Sequence, residues 1–277
     1  MSPAAGTWGA WRKEAKSVEP SGHARTLADM DHVGQQAHAW PRSAAVFGAS
    51  GGIGRALCDG LAACGTQVIH AGSRAGTDPA GAGMRPFAFD LTDEATIAAA
   101  AEAMRDDPPE WVIIATGVLT LADGAGPERT YKRLDAAAMA EVFALNTIGP
   151  ALIAKHILPL MPRGRRFVFA ALSARVGSIS DNRLGGWHSY RASKAALNML
   201  IKNLALELAR THPEGVIAGL HPGTVDSALS QPFQSNLPDG QLTAPGDAAG
   251  NLLGVLARLG PEQSGQVFDF RGEQVPA

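Results

Sequence analysis

Cysteine, tyrosine and net charge are what this 277-residue sequence has least of. Its two cysteines, Cys58 and Cys64, lie six apart on one predicted helix and so point to different faces. They can build neither a disulfide framework nor a metal site, and they read as small buried hydrophobes in a reducing, cytoplasmic setting. A formal charge of -2 leaves no electrostatic footprint for nucleic acid or an anionic membrane. The sequence reads as having no apolar run that approaches the roughly 18 residues needed to span a bilayer. A secretory segment is not expected, and Glu14 and Glu19 argue against a transit peptide. Internal repeats and low-complexity tracts are missing too. What remains, at 45% hydrophobic residues, is an ordinary globular chain long enough for a sizeable core.

Residues 1–42 carry Pro3, Pro20 and Pro41, mixed charge and no sustained period, so an unstructured extension is expected there. From residue 43 to 277 the pattern is α/β. Short apolar strands are predicted at 44–47, 66–71, 86–89, 111–115, 167–172, 216–220 and 267–270. Between them lie helices ending near Cys64 and Arg105, a long one at 136–160 that Pro150 should kink, one at 189–210 and one at 248–259. Strands alternating with helices this regularly imply one doubly wound parallel sheet of about seven strands, covered on both faces.

Three stretches carry chemistry. Gly48-Ala49-Ser50-Gly51-Gly52-Ile53-Gly54 sits where the first strand turns into the first helix. Glycines there permit the tight turn and let a pyrophosphate approach the helix N-terminus with its free N–H groups. The second strand runs into Ala71-Gly72-Ser73-Arg74, with no acid to hold a ribose 2′-hydroxyl. The guanidinium and hydroxyl of Arg74 and Ser73 suit a 2′-phosphate, which favours NADP(H) over the alternative, NAD. The third stretch is Ser189-Tyr190-Arg191-Ala192-Ser193-Lys194. The chain has only 2 tyrosines, and here one stands four residues before a lysine, on the same helical face. A phenol with an ordinary pKa near 10 is a poor acid at neutral pH. An ammonium beside it stabilises the phenolate, so Lys194 is expected to lower the pKa of Tyr190.

The glycine turn, a later serine, Tyr-x-x-x-Lys and an Asn in the preceding long helix together resemble the short-chain dehydrogenase/reductase family over about residues 44–272. Ala-Leu-Ser-Ala-Arg-Val-Gly-Ser-Ile near 171–179 and the helix Tyr-Arg-Ala-Ser-Lys-Ala-Ala-Leu-Asn are similar to its C-factor-like (C-signal, sniffer-type) branch. The resemblance implies a single-domain Rossmann fold and an oxidoreductase that interconverts a carbonyl and an alcohol. It makes Tyr190 the general acid, Lys194 its partner and a ligand of the nicotinamide ribose, and Asn146 the helix-kink residue that holds a water in a proton relay. The cofactor set it implies is Gly48, Ser50, Gly52, Ile53 and Gly54, with Ser73 and Arg74. Asp90 and Leu91 at the adenine, Ala115, Thr116 and Gly117 after the fourth strand, Tyr190 and Lys194 themselves, and the turn Pro222, Gly223 and Val225 complete it.

Two departures from the family pattern matter. Its Asn-Asn-Ala-Gly reads Ile114-Ala115-Thr116-Gly117 here. The serine that should polarise the carbonyl belongs three residues before Gly177, where Ala174 stands. Ser173 is taken as that serine because it ends the strand directly, with Ser178 as the alternative. The substrate pocket is expected from 118–121, 176–187 and 224–243, the last as a lid. Asn182, Arg183 and Trp187 either line its mouth or form a surface turn. A small-molecule substrate, no metal and a homodimer or homotetramer packed through the 136–160 and 189–210 helices are further expectations. The rival is a dinucleotide-binding signalling or regulatory protein of the C-factor type with little turnover.

Overall fold

The computed structural model of the protein describes residues 40–77, 81–236 and 242–277. Most of the expected extension, and Leu237 and Pro238 of the expected lid with the side chain of Phe233, lie outside the described residues. At the start of the described residues the ring of Trp40 packs 5.8 Å from that of Trp111. Arg42 then donates its backbone N–H to Glu110 and pairs with Asp107.

One sheet organises the domain, with strands β1 (Ser43–Phe47), β2 (Val68–Ser73), β3 (Met84–Ala88), β4 (Trp111–Ile114), β5 (Phe167–Leu172), β6 (Gly215–His221) and β9 (Gln266–Asp269). They run in the order β3-β2-β1-β4-β5-β6-β9, and all pairings are parallel. A short parallel pair, β7 (Thr224–Val225) and β8 (Leu242–Thr243), stands apart from it. The helices are α1 (Gly52–Ala63), α2 (Glu94–Ala103), α3 (Ala136–Phe143), α4 (Gly149–Ile157), α5 (His188–Leu208) and α6 (Pro245–Arg258).

Strand alternation divides the apolar residues between two cores. Ala44 and Val46, Trp111 and Ile113, and Val168, Ala170 and Leu172 face Leu57, Leu61, Leu252 and Leu256 of α1 and α6. The intervening Ala45 and Phe47, Val112 and Ile114, and Phe167, Phe169 and Ala171 face Ile97, Ile153, Leu197 and Ile201 of α2, α4 and α5. Burial on both faces explains why the central strands read as unbroken apolar runs. Cys58 joins the first core, and burial pushes its thiol up to about 12.

The 136–160 stretch corrects two expectations. It is a 25-residue segment holding an 18-residue stretch of mean hydropathy 1.5, long and apolar enough to cross a membrane by length and composition. Here it gives Val142, Ile153, Ala154 and Ile157 to the buried interior. Its irregularity is also more than a proline kink: a π-helical turn, Ala144–Ile148, separates α3 from α4. Pro150 has no N–H to give the carbonyl of Asn146 four residues back, so the widened turn reads as the local response.

The strand order reverses between β1 and β4, and the crevice beyond the carboxyl ends of strands at such a point is where ligands bind in open α/β sheets. The loops after β1, β4 and β5 and the start of α5 all meet there.

Candidate active site

At the β1–α1 turn the glycines are dictated by the approach of the chain to itself. Gly48 has φ +98°, and a Cβ on it would stand 2.9 Å from Thr116 Cγ2. A Cβ on Gly54 would stand 2.0 Å from the carbonyl oxygen of Gly48, so only glycine lets α1 begin this close to β1. The backbone N–H groups of Gly48 and Ala49 both donate to the Gly72 carbonyl, at 2.9 and 2.8 Å, which ties the turn to β2. No side chain caps α1, so the N–H groups of its first turn remain available to an anion, with Ser50 and Gly51 exposed beside them.

At the tip of β2 Ser73 is buried and its hydroxyl accepts the N–H of Gly76 at 3.0 Å. Arg74 is exposed. Asp90 lies close enough to feel its charge, although the N–H and hydroxyl of Thr92 do more to hold the Asp90 carboxyl below its usual range. Leu91 packs where a Cβ on Gly149 would otherwise go, 2.6 Å away. After β4, Ala115 donates to Phe47 at 2.8 Å, and the Thr116 hydroxyl beside the glycine turn is buried with no hydrogen-bond partner. After β6, Gly223 has φ +77° and Val225 is buried. The glycine turn, the free N–H groups and the orphaned Thr116 hydroxyl fit an anionic dinucleotide laid across this end of the sheet.

Tyr190 and Lys194 occupy the first two turns of α5 and are 9% and 3% exposed. The Lys194 ammonium stands 5.9 Å from the Tyr190 ring centroid and donates to the Leu172 carbonyl at 2.7 Å. Burial pushes the Tyr190 phenol up to about 12 and the Lys194 ammonium down to about 8. The expected lowering of the tyrosine by the lysine is therefore not what this geometry gives, because the loss of water on burial sets the direction for both groups.

Asn146 is wholly buried in the π-helical turn. Its Oδ1 accepts the Val118 N–H at 2.8 Å, and its Nδ2 donates to the Val118 carbonyl at 2.9 Å and to Ser193 Oγ at 3.1 Å. The side chain is thus a clip that joins the loop after β4 to α5. Gly117 lies inside that clip: a Cβ there would be 3.2 Å from Asn146 Oδ1 and 3.3 Å from Lys194 Nζ.

Ser173 does not join this group. Its hydroxyl donates to Asn198 Oδ1 at 2.5 Å, two turns along α5 from the tyrosine. It shares strand parity with Ala171, whose side chain enters the core beneath α5. Ser178 is turned to the chain end, where its hydroxyl reaches the Ala277 carbonyl at 3.4 Å and accepts the Asp181 N–H at 3.1 Å. The residue that shares a buried apolar cluster with Tyr190 and Leu119 is Ala174, with Val176 and Trp187 packed against it. Asn182 and Arg183 bond within their own loop, Oδ1 to the N–H groups of Leu184 and Gly185 and Nη1 to the Ser180 carbonyl, and so form a turn. Trp187 is different, its ring set edge-on at 6.3 Å from that of Tyr190.

A small cavity lies beside Tyr190, between Leu119, Leu121, Pro127, Val142 and Glu128. Sequence reasoning missed Glu128. It stands 61 residues before Ser189, to which it is hydrogen-bonded, and no motif marks it.

Comparison with known proteins agrees with this geometry. Residues 42–238 match the short chain dehydrogenase family. The chain is 38% identical over 144 residues to the C-signal protein of Myxococcus xanthus, a match that covers 52% of this chain and 81% of that one. It is 32% identical over 225 residues to 1-hydroxy-2-glutathionyl-2-methyl-3-butene dehydrogenase of Rhodococcus sp. (strain AD45), covering 80% and 93%. Among solved structures, the NADPH-bound carbonyl reductase from chicken fatty liver superimposes with a TM-score of 0.72 at 25% identity, over 88% of this chain and 96% of that one. The chain belongs to the short-chain dehydrogenase/reductase family of oxidoreductases, in its C-factor-like branch.

Proposed function

We propose that the protein is an NADP(H)-dependent reductase that interconverts a small carbonyl compound and its alcohol. The observation that carries this reading is the joint burial of Tyr190 and Lys194 at the carboxyl end of the sheet, next to the glycine turn at the switch point. The dinucleotide would be held by Gly48, Ser50, Gly52, Ile53 and Gly54 at its pyrophosphate, and by Ser73 and Arg74 at a 2′-phosphate. Asp90 and Leu91 would meet its adenine, with Ala115, Thr116 and Gly117 along its length and Pro222, Gly223 and Val225 at the carboxamide. When bound, it supplies the hydride.

Tyr190 keeps its proton throughout the neutral range, since burial has pushed its phenol up to about 12. It is therefore in the proton-bearing form that reduction requires, and the alkoxide oxygen that forms as hydride arrives, more basic than a phenolate, would take the proton from it. Lys194 spends one of three N–H donors on Leu172 and has two for ribose hydroxyls or a water. Asn146 holds the loop and helix together so that Gly117 and Lys194 remain in register. The apolar walls contributed by Leu119, Ala174, Val176 and Trp187 exclude water from the phenol and favour an uncharged substrate. Incubation with NADPH and a panel of aldehydes, ketones and quinones tests the reading. A fall in NADPH absorbance with any of them supports it, and tight NADPH binding with no turnover on the whole panel would sink it.

A second reading, a dinucleotide-binding signalling or regulatory protein with little turnover, is favoured by one observation. Ala174, with no hydroxyl, stands in the cluster around Tyr190 where a serine was expected. Likeness to the C-signal protein points the same way. In either reading the chain would self-associate through α4 and α5, on which Ile148 just before α4, Met199 and Leu206 are exposed. Light scattering at micromolar concentration that returns the monomer mass would refute the assembly.

A further inference from the structure

The helix that carries Tyr190 has an unusual beginning. Gly185, Gly186 and Trp187 have φ of +63°, +68° and +51°, three left-handed residues in succession, and Trp187 is the one non-glycine residue with positive φ among the described residues. A left-handed tryptophan is strained, and such a conformation persists only where its surroundings hold it. As N-cap, Trp187 gives α5 no side-chain hydrogen bond, so the first turn lacks a cap of its own.

Glu128, from the loop after β4, supplies what is missing. Its backbone carbonyl accepts the Trp187 N–H at 2.5 Å. One carboxylate oxygen accepts the Ser189 N–H at 3.0 Å, and the other accepts the Ser189 hydroxyl. Burial raises the Glu128 carboxyl, but the two bonds from Ser189, a backbone bond of its own residue and the charge of His188 together outweigh it and leave the group below its usual range, hence ionised at neutral pH. A negative charge at a helix N-terminus also meets the positive end of the helix dipole. Ser189 precedes Tyr190, and the Trp187 ring stands edge-on to the Tyr190 ring. One residue therefore holds both neighbours of the phenol, and it lines the same small cavity as the phenol.

We infer that Glu128 is a positioning residue for Tyr190: by clamping Trp187 and Ser189 it fixes where the phenolic hydroxyl points when a substrate carbonyl enters the cavity between the β4 loop and α5. This rests on the proposed reductase reading, in which Tyr190 is the proton donor. Glu128 does not touch the reacting atoms, and its contribution is the alignment of a group that does.

The test uses the full chain and five variants, Glu128→Ala, Glu128→Asp, Ser189→Ala, the Glu128→Ala/Ser189→Ala double and Tyr190→Phe, with NADPH and whichever carbonyl of the panel the parent reduces fastest. Glu128→Ala should lower kcat at least tenfold while the NADPH Kd moves less than twofold, because the glycine turn lies elsewhere. Ser189→Ala should lower kcat severalfold, and the double variant should be no worse than Glu128→Ala alone, since the bond to the Ser189 hydroxyl is already lost with the carboxylate. Glu128→Asp, which keeps the charge, should recover part of the loss. Should Glu128→Ala fold poorly, the Ser189→Ala kcat decides by itself, because that change removes a single hydroxyl. Glu128→Ala and Ser189→Ala kcat values within twofold of the parent, beside an inactive Tyr190→Phe, overturn the inference and leave the reductase reading intact. A Tyr190→Phe variant as active as the parent overturns the reductase reading itself.

Discussion

The two halves of this site are built in opposite ways. The glycine-rich turn at the cofactor end is made of backbone: free helix N–H groups and a Gly72 carbonyl that anchors two N–H groups of the turn. Its contributing residues from 48 to 54 are contiguous, and their conformation follows from the lack of side chains. The tyrosine end is made of side chains that arrive from four separate segments: Asn146 in the π-turn, Ala174 after β5, Glu128 in the β4 loop and Lys194 on α5. A site of the first kind tolerates little change in its own stretch but depends little on the rest. A site of the second kind can be altered from any of its sources, and here the source after β5 brings alanine.

Substitutions that separate the halves give the largest effect first. Tyr190→Phe should reduce turnover by about 10²–10⁴-fold, the range for loss of a general acid, with NADPH affinity preserved. Stopped-flow absorbance and fluorescence titration measure the two quantities, and a parallel loss of affinity would mean that the halves are not independent. Ala174→Ser should raise kcat, by up to about 10²-fold, if the position beside Tyr190 can present a hydrogen-bond donor to the carbonyl. An unchanged or lower kcat would show that Ala174 faces the tyrosine without facing the substrate.

Arg74→Ala addresses the other half. It should weaken NADPH about tenfold, or ~1.4 kcal/mol, and leave NADH within twofold. Equal weakening of both would refute the 2′-phosphate assignment. The smallest effect concerns stability. Burial holds the Lys194 ammonium near 8 against an ordinary 10.5, so between those pH values the folded chain binds fewer protons than the unfolded one. The contribution of this group to stability therefore rises with pH across that window. Tyr190, pushed up from 10.0 to about 12, acts in the opposite sense only above pH 10. Urea midpoints at pH 8 and pH 9.5 should thus rise more for the parent than for Lys194→Met; identical changes would remove the reading.

Legibility in the sequence tracked how local each feature is. β5 was predicted residue for residue, because Phe167 to Leu172 is apolar on both faces and ends in turns. β2 and β3 were displaced by up to two residues each, since Thr66 and Phe89 are apolar enough in context to extend the strands, whereas the pairing of β2 with β1 starts only at Val68 and that of β3 with β2 stops at Ala88. The glycine turn and the Tyr190–Lys194 spacing were readable because each lies within one or two turns of chain. The serine was misplaced for a related reason. Spacing counts residues, but which face a side chain takes at the end of a strand depends on how that strand meets the helix above it, and Ser173 met Asn198.

Sequence alone determined the seven-stranded α/β domain, its glycine turn and the tyrosine–lysine pair, all of which arise from periodicity and spacing over a few residues. Tertiary structure decided three other things. It turned Asn146 into a clip for the β4 loop, put Ala174 rather than a serine beside the phenol, and brought Glu128 to the head of α5. Each depends on segments that become neighbours only when the parallel strands pair, a non-local event that no short stretch of sequence records.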